Sequence, residues 1–335
     1  MTPAGESPRT PATIYDIARA AGVSPSTVSR ALNKPGRISA ATEKRIRDAA
    51  EELGYRLNPM ARALHTGRTS TLGLILSDIT NPVYFDLVRG AERVTAEHDF
   101  TLVLAESQES PEAEAATIDR LLPSVDGFVL VASRLSDETI SRFQAQKPIA
   151  LVNRVIEGVT SFVPSVAPGI RAALDHLHSL GHCTLAFVAG PATSWMSGER
   201  WRTICEEAVQ RGMSVVEIAP GIPTLSGGEE ALRRVVASGA TAVLAYNDLM
   251  AIGLMMASQA KGVRVPERLS IVGFDDIFGA SFTTPALTTI RSPLGETGGQ
   301  AVRSLLSQLS GRGASAEQGL ETALVVRGST GAPTG

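Results

Sequence analysis

From residue 71 onward the chain repeats one rhythm, a short apolar run followed by a stretch with helical spacing. The runs fall at 72–76, 101–104, 127–131 and 149–152, and again at 185–188, 215–218, 242–245 and 270–273. Strands that alternate with helices pair in parallel, so the pattern predicts sheets covered by helices on both faces. Two groups of runs predict two doubly wound subdomains. At 335 residues the chain is also longer than one hydrophobic core usually organises.

The first 68 residues have a different texture, with helical patterns and no alternation. Thr13 is a candidate N-cap for a first helix through Ile14, Ile17 and Ala18 that stops at Gly22. Ser24 caps a second, opened by Pro25, whose missing N–H would be unpaired there anyway. That helix runs to about Leu32 and a turn at 33–36 follows. Ser39 caps a third, longer helix through Ile46, Ala49, Ala50 and Leu53, closed by Gly54. Asn58-Pro59 starts a very short fourth helix over 60–65. A helix of that length cannot hold itself in water, because nucleation is costly and few bonds follow it.

Charge divides along the same boundary. Residues 1–68 carry 11 Lys and Arg against 6 Asp and Glu, net +5; the remainder carries 20 against 28, net −8. A basic module on an acidic body suits attraction to phosphate without general stickiness. No apolar run approaches the 18 or more residues of a membrane span, and the first 12 residues lack the apolar stretch of a secretory signal. A cytoplasmic protein is expected. Cys183 and Cys205 form no metal-ligand pattern and are read as packing residues. No metal or cofactor is expected.

TIYDIARAAGVSPSTVSRAL, beginning at Thr13, is two helices around a tight glycine-containing turn, the arrangement of a helix-turn-helix. Such a motif presents the N-terminal residues of its second helix to base edges in the major groove. Those residues are Pro25, Ser26 and, one turn on, Arg30. Arg30 is the expected direct reader, its planar fork matching guanine O6 and N7. Thr27 and Ser29 suit phosphates, packing or capping.

This stretch and its continuation, through DIARAAGVSPSTVSRALN and LGYRLNPMARAL, resemble the lactose-repressor (LacI/GalR) family over the whole headpiece. The resemblance implies a dimeric transcription regulator, by family habit a repressor, whose two headpieces read a near-palindromic double-stranded DNA operator. It implies backbone or supporting contacts from Thr13, Tyr15, Ser29, Asn33 and Ser39, to which Arg37 could add a phosphate contact. It places the short fourth helix in the minor groove as a hinge that folds on DNA, with Asn58, Ala61 and Leu64 at the matching positions and Leu64 as the wedge. Inserting an apolar wedge costs a few kcal/mol of unstacking, offset by the contacts a bent duplex allows.

The resemblance continues to about residue 328 and implies a two-lobed effector domain like that of periplasmic sugar-binding proteins. Positions matching its ligand contacts are Asp78, Asn81 and Phe85, Asn153, Arg200, Asn247 and Asp275; Trp195 suits a stacking wall for a ring or else a buried or interface position. All follow the carboxyl ends of expected strands, where open α/β sheets bind ligands. A carboxylate, an arginine and amides around one cleft suit a sugar or other polyol. Asn247 could instead cap the helix that follows it, Asp275 be a loop carboxylate and Arg200 an ion-pair partner. Two departures stand out: Ser165-Val166 where many relatives carry Asp-Asn, and Ile222 where a cleft aromatic is common. A purine or nucleoside effector, or no effector, is the alternative.

The expected layout is a disordered arm at 1–12, a headpiece at 13–57, and a hinge helix and linker at 58–70. The first effector subdomain takes 71–157 and 292–312, the second takes 158–291 and 321–328, and a disordered tail takes 329–335. The assembly is expected to be a homodimer, with a tetramer as the alternative. A transport binding protein would leave the basic headpiece without a use. An enzyme lacks support, since no hydrolase, phosphate-loop or metalloprotease motif is present and His98, His176, His178 and His182 fall near expected helix ends.

Overall fold

The computed structural model describes residues 12–33, 37–55, 67–219, 221–313 and 319–334. It divides into two compact units at residues 69 and 70. In the first unit, α1 (Ile14–Ala21), α2 (Pro25–Asn33) and α3 (Ala40–Glu52) pack around Ile17, Ala18, Ala21, Val28, Ala31, Ile46 and Ala49. The ends form for local reasons. Asp16 accepts from the Thr13 amide at 2.9 Å and its hydroxyl at 2.6 Å, and Ser24 accepts from the Thr27 amide at 3.2 Å. Gly22 closes α1 at φ 63°, a conformation costly to most other residues.

The second unit begins with β1 (Thr71–Leu76), α4 (Tyr84–Glu97), β2 (Thr101–Glu106), α5 (Pro111–Leu121), β3 (Gly127–Val131), α6 (Asp137–Gln144), β4 (Ile149–Val152) and β5 (Thr160–Phe162). These strands form a parallel sheet of order β2-β1-β3-β4-β5. Leu72, Leu74, Val129, Val131, Ala150 and Val152 face one core; Ile75, Phe128, Leu130, Ile149 and Leu151 face another. Successive side chains thus enter opposite layers, the two-sided burial a parallel sheet requires. Because β5 pairs with β4, the first lobe's sheet continues past residue 157, where the sequence reading ended it. Three residues are too few to show a period.

The second lobe continues with α7 (Ala167–Ser179), β6 (Thr184–Val188), α8 (Trp195–Gln210), β7 (Ser214–Ile218), α9 (Leu225–Ala237), β8 (Ala242–Ala245), α10 (Asp248–Ala260), β9 (Ser270–Asp275) and β10 (Thr288–Arg291). The chain then returns to the first lobe as α11 (Leu294–Leu309), packed on α4, before β11 (Ala323–Val325) joins the second sheet. That sheet has the order β7-β6-β8-β9-β10-β11, all parallel except the last pair. The expectation lacked β10 because its core carries threonines. Thr288 and Thr289 are fully buried and satisfied, Thr289 donating to Asp248 at 2.6 Å.

Residues 329–334 are packed rather than disordered. Ser329 is fully buried, donates to the Ile271 carbonyl at 2.6 Å and accepts from the Thr288 amide at 2.8 Å. The Gly331 carbonyl accepts from Ser270 at 3.0 Å and lies 2.9 Å from the His182 ring. His182, near the end of α7, is fully buried and bonded also to Thr241 at 2.8 Å. Cys183, read as a packing residue, is exposed.

Helices α4 and α11 meet at glycines: a Cβ on Gly90 would overlap the Gly295 carbonyl. This approach fixes the returning helix to the first lobe. Gly90→Ala is expected to destabilise the protein by about 1–3 kcal/mol, the cost of overpacking a tight contact, read as a lower urea midpoint. An unchanged midpoint would show that the two helices separate without penalty.

Candidate DNA-binding face and effector cleft

On α2, Val28 and Ala31 point into the headpiece core, which leaves Ser26 and Arg30 exposed and Pro25, Thr27 and Ser29 half-buried. Arg30 is held loosely, its Nε 3.4 Å from the Ser26 carbonyl, so the guanidinium remains available. Thr27 is engaged with the Ser24 hydroxyl at 2.8 Å, a capping use. Thr13 and Arg37 are exposed, and Tyr15 is 70% exposed, unusual for an aromatic next to a core and natural for one that meets a partner. Asn33 ends α2. Asn58, Ala61 and Leu64 lie outside the described residues.

In the second unit both sheets have a point where the strand order reverses, between β1 and β3 and between β6 and β8. Loops at the carboxyl ends of these strands diverge and leave a crevice. Asp78 and Asn81 follow β1, and Asn153 follows β4 at φ 60°. Trp195 and Arg200 lie on the helix after β6, Asn247 follows β8, and Asp275 ends β9. Every expected effector residue thus lies at or beyond a strand's carboxyl end.

Several of these side chains already have partners. Asp78 accepts from the Thr80 amide at 2.8 Å and hydroxyl at 2.6 Å, and Asn81 accepts from the Val83 amide at 3.2 Å. Asn247 caps α10, accepting from Met250 at 2.9 Å and donating to the Pro223 carbonyl at 2.9 Å. Trp195 is half-buried against the second lobe's core. Phe85 is 47% exposed and stacks on Phe278 of the other lobe with centroids 6.3 Å apart. A 270 Å³ cavity between the lobes is lined by Phe85, Asp86, Asp275, Asp276, Phe278 and Ser292, among others.

Arg200 and Asp275 form a buried ion pair at 3.2 Å. The guanidinium lies 3.6 Å from the Phe274 ring centroid and 5.0 Å from that of Tyr246, and also donates to the Tyr246 carbonyl. Its Nε is buried without a partner among the described residues. Burial pushes the Asp275 carboxyl up to about 6, although Arg200 pulls the other way. Asp248 beneath it is driven well up by burial and by Asp275. An unpaired donor and a carboxylate with spare lone pairs together fit a hydroxyl, which accepts and donates at once.

The sequence reading missed the opposite wall. Arg134, just beyond β3, is paired at 2.6 Å with Glu109, just beyond β2, while its amide donates at 2.9 Å to the buried Glu114. Tyr84 donates to or accepts from Ser77 at 2.8 Å, and burial raises its hydroxyl's pKa, with Tyr246 of the other lobe adding to the rise. Arg134 flanks the first sheet's reversal point as Asn247 flanks the second, a position that only the assembled sheet reveals.

Residues 13–58 match the family of bacterial regulatory proteins, lacI family, and residues 174–330 match the periplasmic binding protein-like domain. The chain is 32% identical to the HTH-type transcriptional repressor CytR of Escherichia coli K12, over 96% of this chain and 97% of that protein. It is likewise 32% identical to the transcriptional regulator DegA of Bacillus subtilis, over 95% and 98%. Among solved structures it is similar to the lac repressor dimer bound to operator and the anti-inducer ONPF, with TM-score 0.85, 28% identity and coverage of 96% and 100%. It is also similar to the transcriptional regulator CelR–cellobiose complex, with TM-score 0.70, 29% identity and coverage of 95% and 99%. The relatives are regulators and not enzymes, and no helix among the described residues is long and apolar enough to cross a membrane. A helix-turn-helix headpiece, two sheets with opposed reversal points and these likenesses over nearly the whole chain make it a member of the LacI family of DNA-binding transcriptional regulators.

Proposed function

We propose that this regulator is a repressor that binds a near-palindromic operator as a homodimer and is tuned by a sugar or related polyol held between its lobes. The DNA reading rests on the exposed Ser26–Arg30 face of α2 in a headpiece of net positive charge. The hinge positions Asn58, Ala61 and Leu64 carry the expected minor-groove contacts. The effector reading rests on the buried Arg200–Asp275 pair with its unpartnered Nε. The solved relative that contains cellobiose supports a carbohydrate. Because Asn247 is spent on a helix cap and Ile222 is 59% exposed without a polar group, a purine or nucleoside is the second reading.

The dimer reading has its own support. Phe282 and Phe278 are 75% and 60% exposed, and edge contact between them extends the Phe85–Phe278 stack across both lobes. Leu225 and Ile222 are also exposed, an apolar series of the kind that a partner subunit covers. Phe282→Asp is expected to shift the sedimenting species from dimer to monomer at micromolar concentration. A dimer of unchanged stability would remove this surface from the interface.

Selection of bound duplexes from a random library at fixed salt tests the operator reading. Wild type should yield a near-palindromic consensus with a central pyrimidine-purine step. Arg30→Ala should relax one half-site position at a cost of about 1–3 kcal/mol, and Leu64→Ala should weaken the centre. No consensus, with all three proteins binding equally weakly, would end that reading.

The cleft adds a pH signature. Ionised Asp275 is the better acceptor for a hydroxyl, so ligand affinity should fall by up to about tenfold per unit as pH drops below 6. Asp275→Asn should abolish the slope. Isothermal titration with the sugar found by a thermal-shift panel reads both; a flat profile in wild type would exclude Asp275 as the contact.

A further inference from the structure

Asp275 and Asp276 have φ of 114° and 56°, two consecutive residues in the left-handed region with no glycine to ease it. Such a turn persists only where its surroundings over-determine it. The carboxylate of Asp276 is 7% exposed and gripped from two sides: Arg327 reaches Oδ1 at 2.5 Å and Arg291 reaches Oδ2 at 2.7 Å. The Asp276 amide donates to the Thr289 hydroxyl at 3.3 Å, and the next amide, of Ile277, donates to Asp248 at 2.9 Å. Arg327 is itself anchored through a bond to the Leu287 carbonyl at 2.7 Å.

The two arginines come from informative places. Arg291 is the last residue of β10, directly before the chain crosses to the first lobe at Ser292-Pro293. Arg327 lies after β11, on the segment reached only after the chain has returned. Asp275, Asp276 and Arg291 also line a 570 Å³ interlobe cavity with Asp86, Arg89 and Glu296.

We infer that Arg291 and Arg327 are positioning residues: by clamping Asp276 they hold Asp275 against Arg200 and tie the effector site to the interlobe crossover. This rests on the reading of Asp275 as an effector contact. A displacement of the crossover moves Arg291 first, and Arg291 carries it to the turn that sets Asp275. The clamp acts through geometry, since Asp275's own titration is set by burial and by Arg200. Besides Arg200, the charged groups around that turn are Asp248 beneath it, Asp276 within it with Arg291 and Arg327 upon it, and Asp86, Arg89 and Glu296 across the shared cavity.

The test uses the full-length, ligand-free chain with 13Cγ-labelled aspartate, its Asp275 signal assigned by its loss in Asp275→Asn. Arg327→Ala and Arg291→Ala should each raise the Asp275 midpoint by roughly half to one unit as the Arg200 pair loosens. Arg327→Lys should leave it near the wild-type value. In an Arg200→Met background the same substitutions should cause no further shift, as a double-mutant cycle requires of a geometric effect. If Arg327→Ala does not fold, Arg291→Ala decides, its side chain being 61% exposed. An unchanged midpoint beside a lowered melting temperature, or a shift that persists without Arg200, would overturn the inference. Failure of the effector reading is distinct: a sugar that binds wild type and Asp275→Asn equally would exclude that contact and leave the titration result standing.

Discussion

The effector domain is organised around one expensive interaction, the burial of the Arg200 guanidinium between two aromatic rings. Removing a cation from water costs several kcal/mol, and a partner charge offsets this only with good geometry and further bonds. Asp275 supplies the charge, the Tyr246 carbonyl a bond and the Phe274 ring face a further attraction. The offset is incomplete on two counts: Nε has no acceptor, and Asp275 stays near a pKa of 6 despite its cation. A site left short by one acceptor gains most from a molecule that brings one. Much of the surrounding architecture, including the left-handed turn at 275–276 and its arginines, serves to keep this pair in register.

The cost is confined by the stiffness of what lies beneath. β8, β9 and β10 are buried along nearly their whole length, and Asp248, fully buried on α10, ties the Thr289 hydroxyl of β10 to the Ile277 amide beyond β9. Close helix contacts add to this, since a Cβ on Gly253 of α10 would overlap the Leu225 carbonyl of α9. Strands and helices locked in this way move as a body. The chain passes between these stiff bodies through short crossovers, and Arg291 stands at one of them.

How much of this could be read from the sequence depends on what each residue was asked to reveal. Apolar runs such as Leu72–Leu76 announce a strand because both faces must be apolar, whereas Thr288-Thr289 conceal one, their hydroxyls being satisfied by Thr330 and the Arg327 amide and by Asp248 and the Asp276 amide, all distant in the chain. The packed tail escaped for the same reason, since its value lies in contacts with His182 and Ser270 that sequence spacing cannot show. In the cleft, motif matching pointed to Arg200 and Asp275, which the structure brings together as an ion pair, and to Asn247, for which the structure shows the helix cap that was the alternative reading. It passed over Arg134 and Glu109, which carry no motif. Strand-order reversal points to Arg134, beyond β3, and through it to its partner Glu109, but reversal is a property of the assembled sheet.

Charge, like the apolar core, is divided between the two units. The headpiece core is built largely of alanine and a few isoleucines and valines, enough to hold three short helices but too small to orient them on a duplex by shape alone. Its net positive charge supplies the attraction to phosphate, while the negative body is repelled by the same field. An encounter is thereby biased toward the headpiece before any base is read. Attraction of this kind is insensitive to sequence; in the proposed reading, discrimination falls to the few side chains that the α2 face leaves exposed, Arg30 foremost, and to their duplication at a fixed spacing. A single headpiece offers one such face; two headpieces at a fixed separation square the discrimination. In the proposed dimer the exposed aromatics Phe278 and Phe282 belong to the surface that brings two headpieces together, without which a headpiece would have affinity for DNA and little ability to choose among sites.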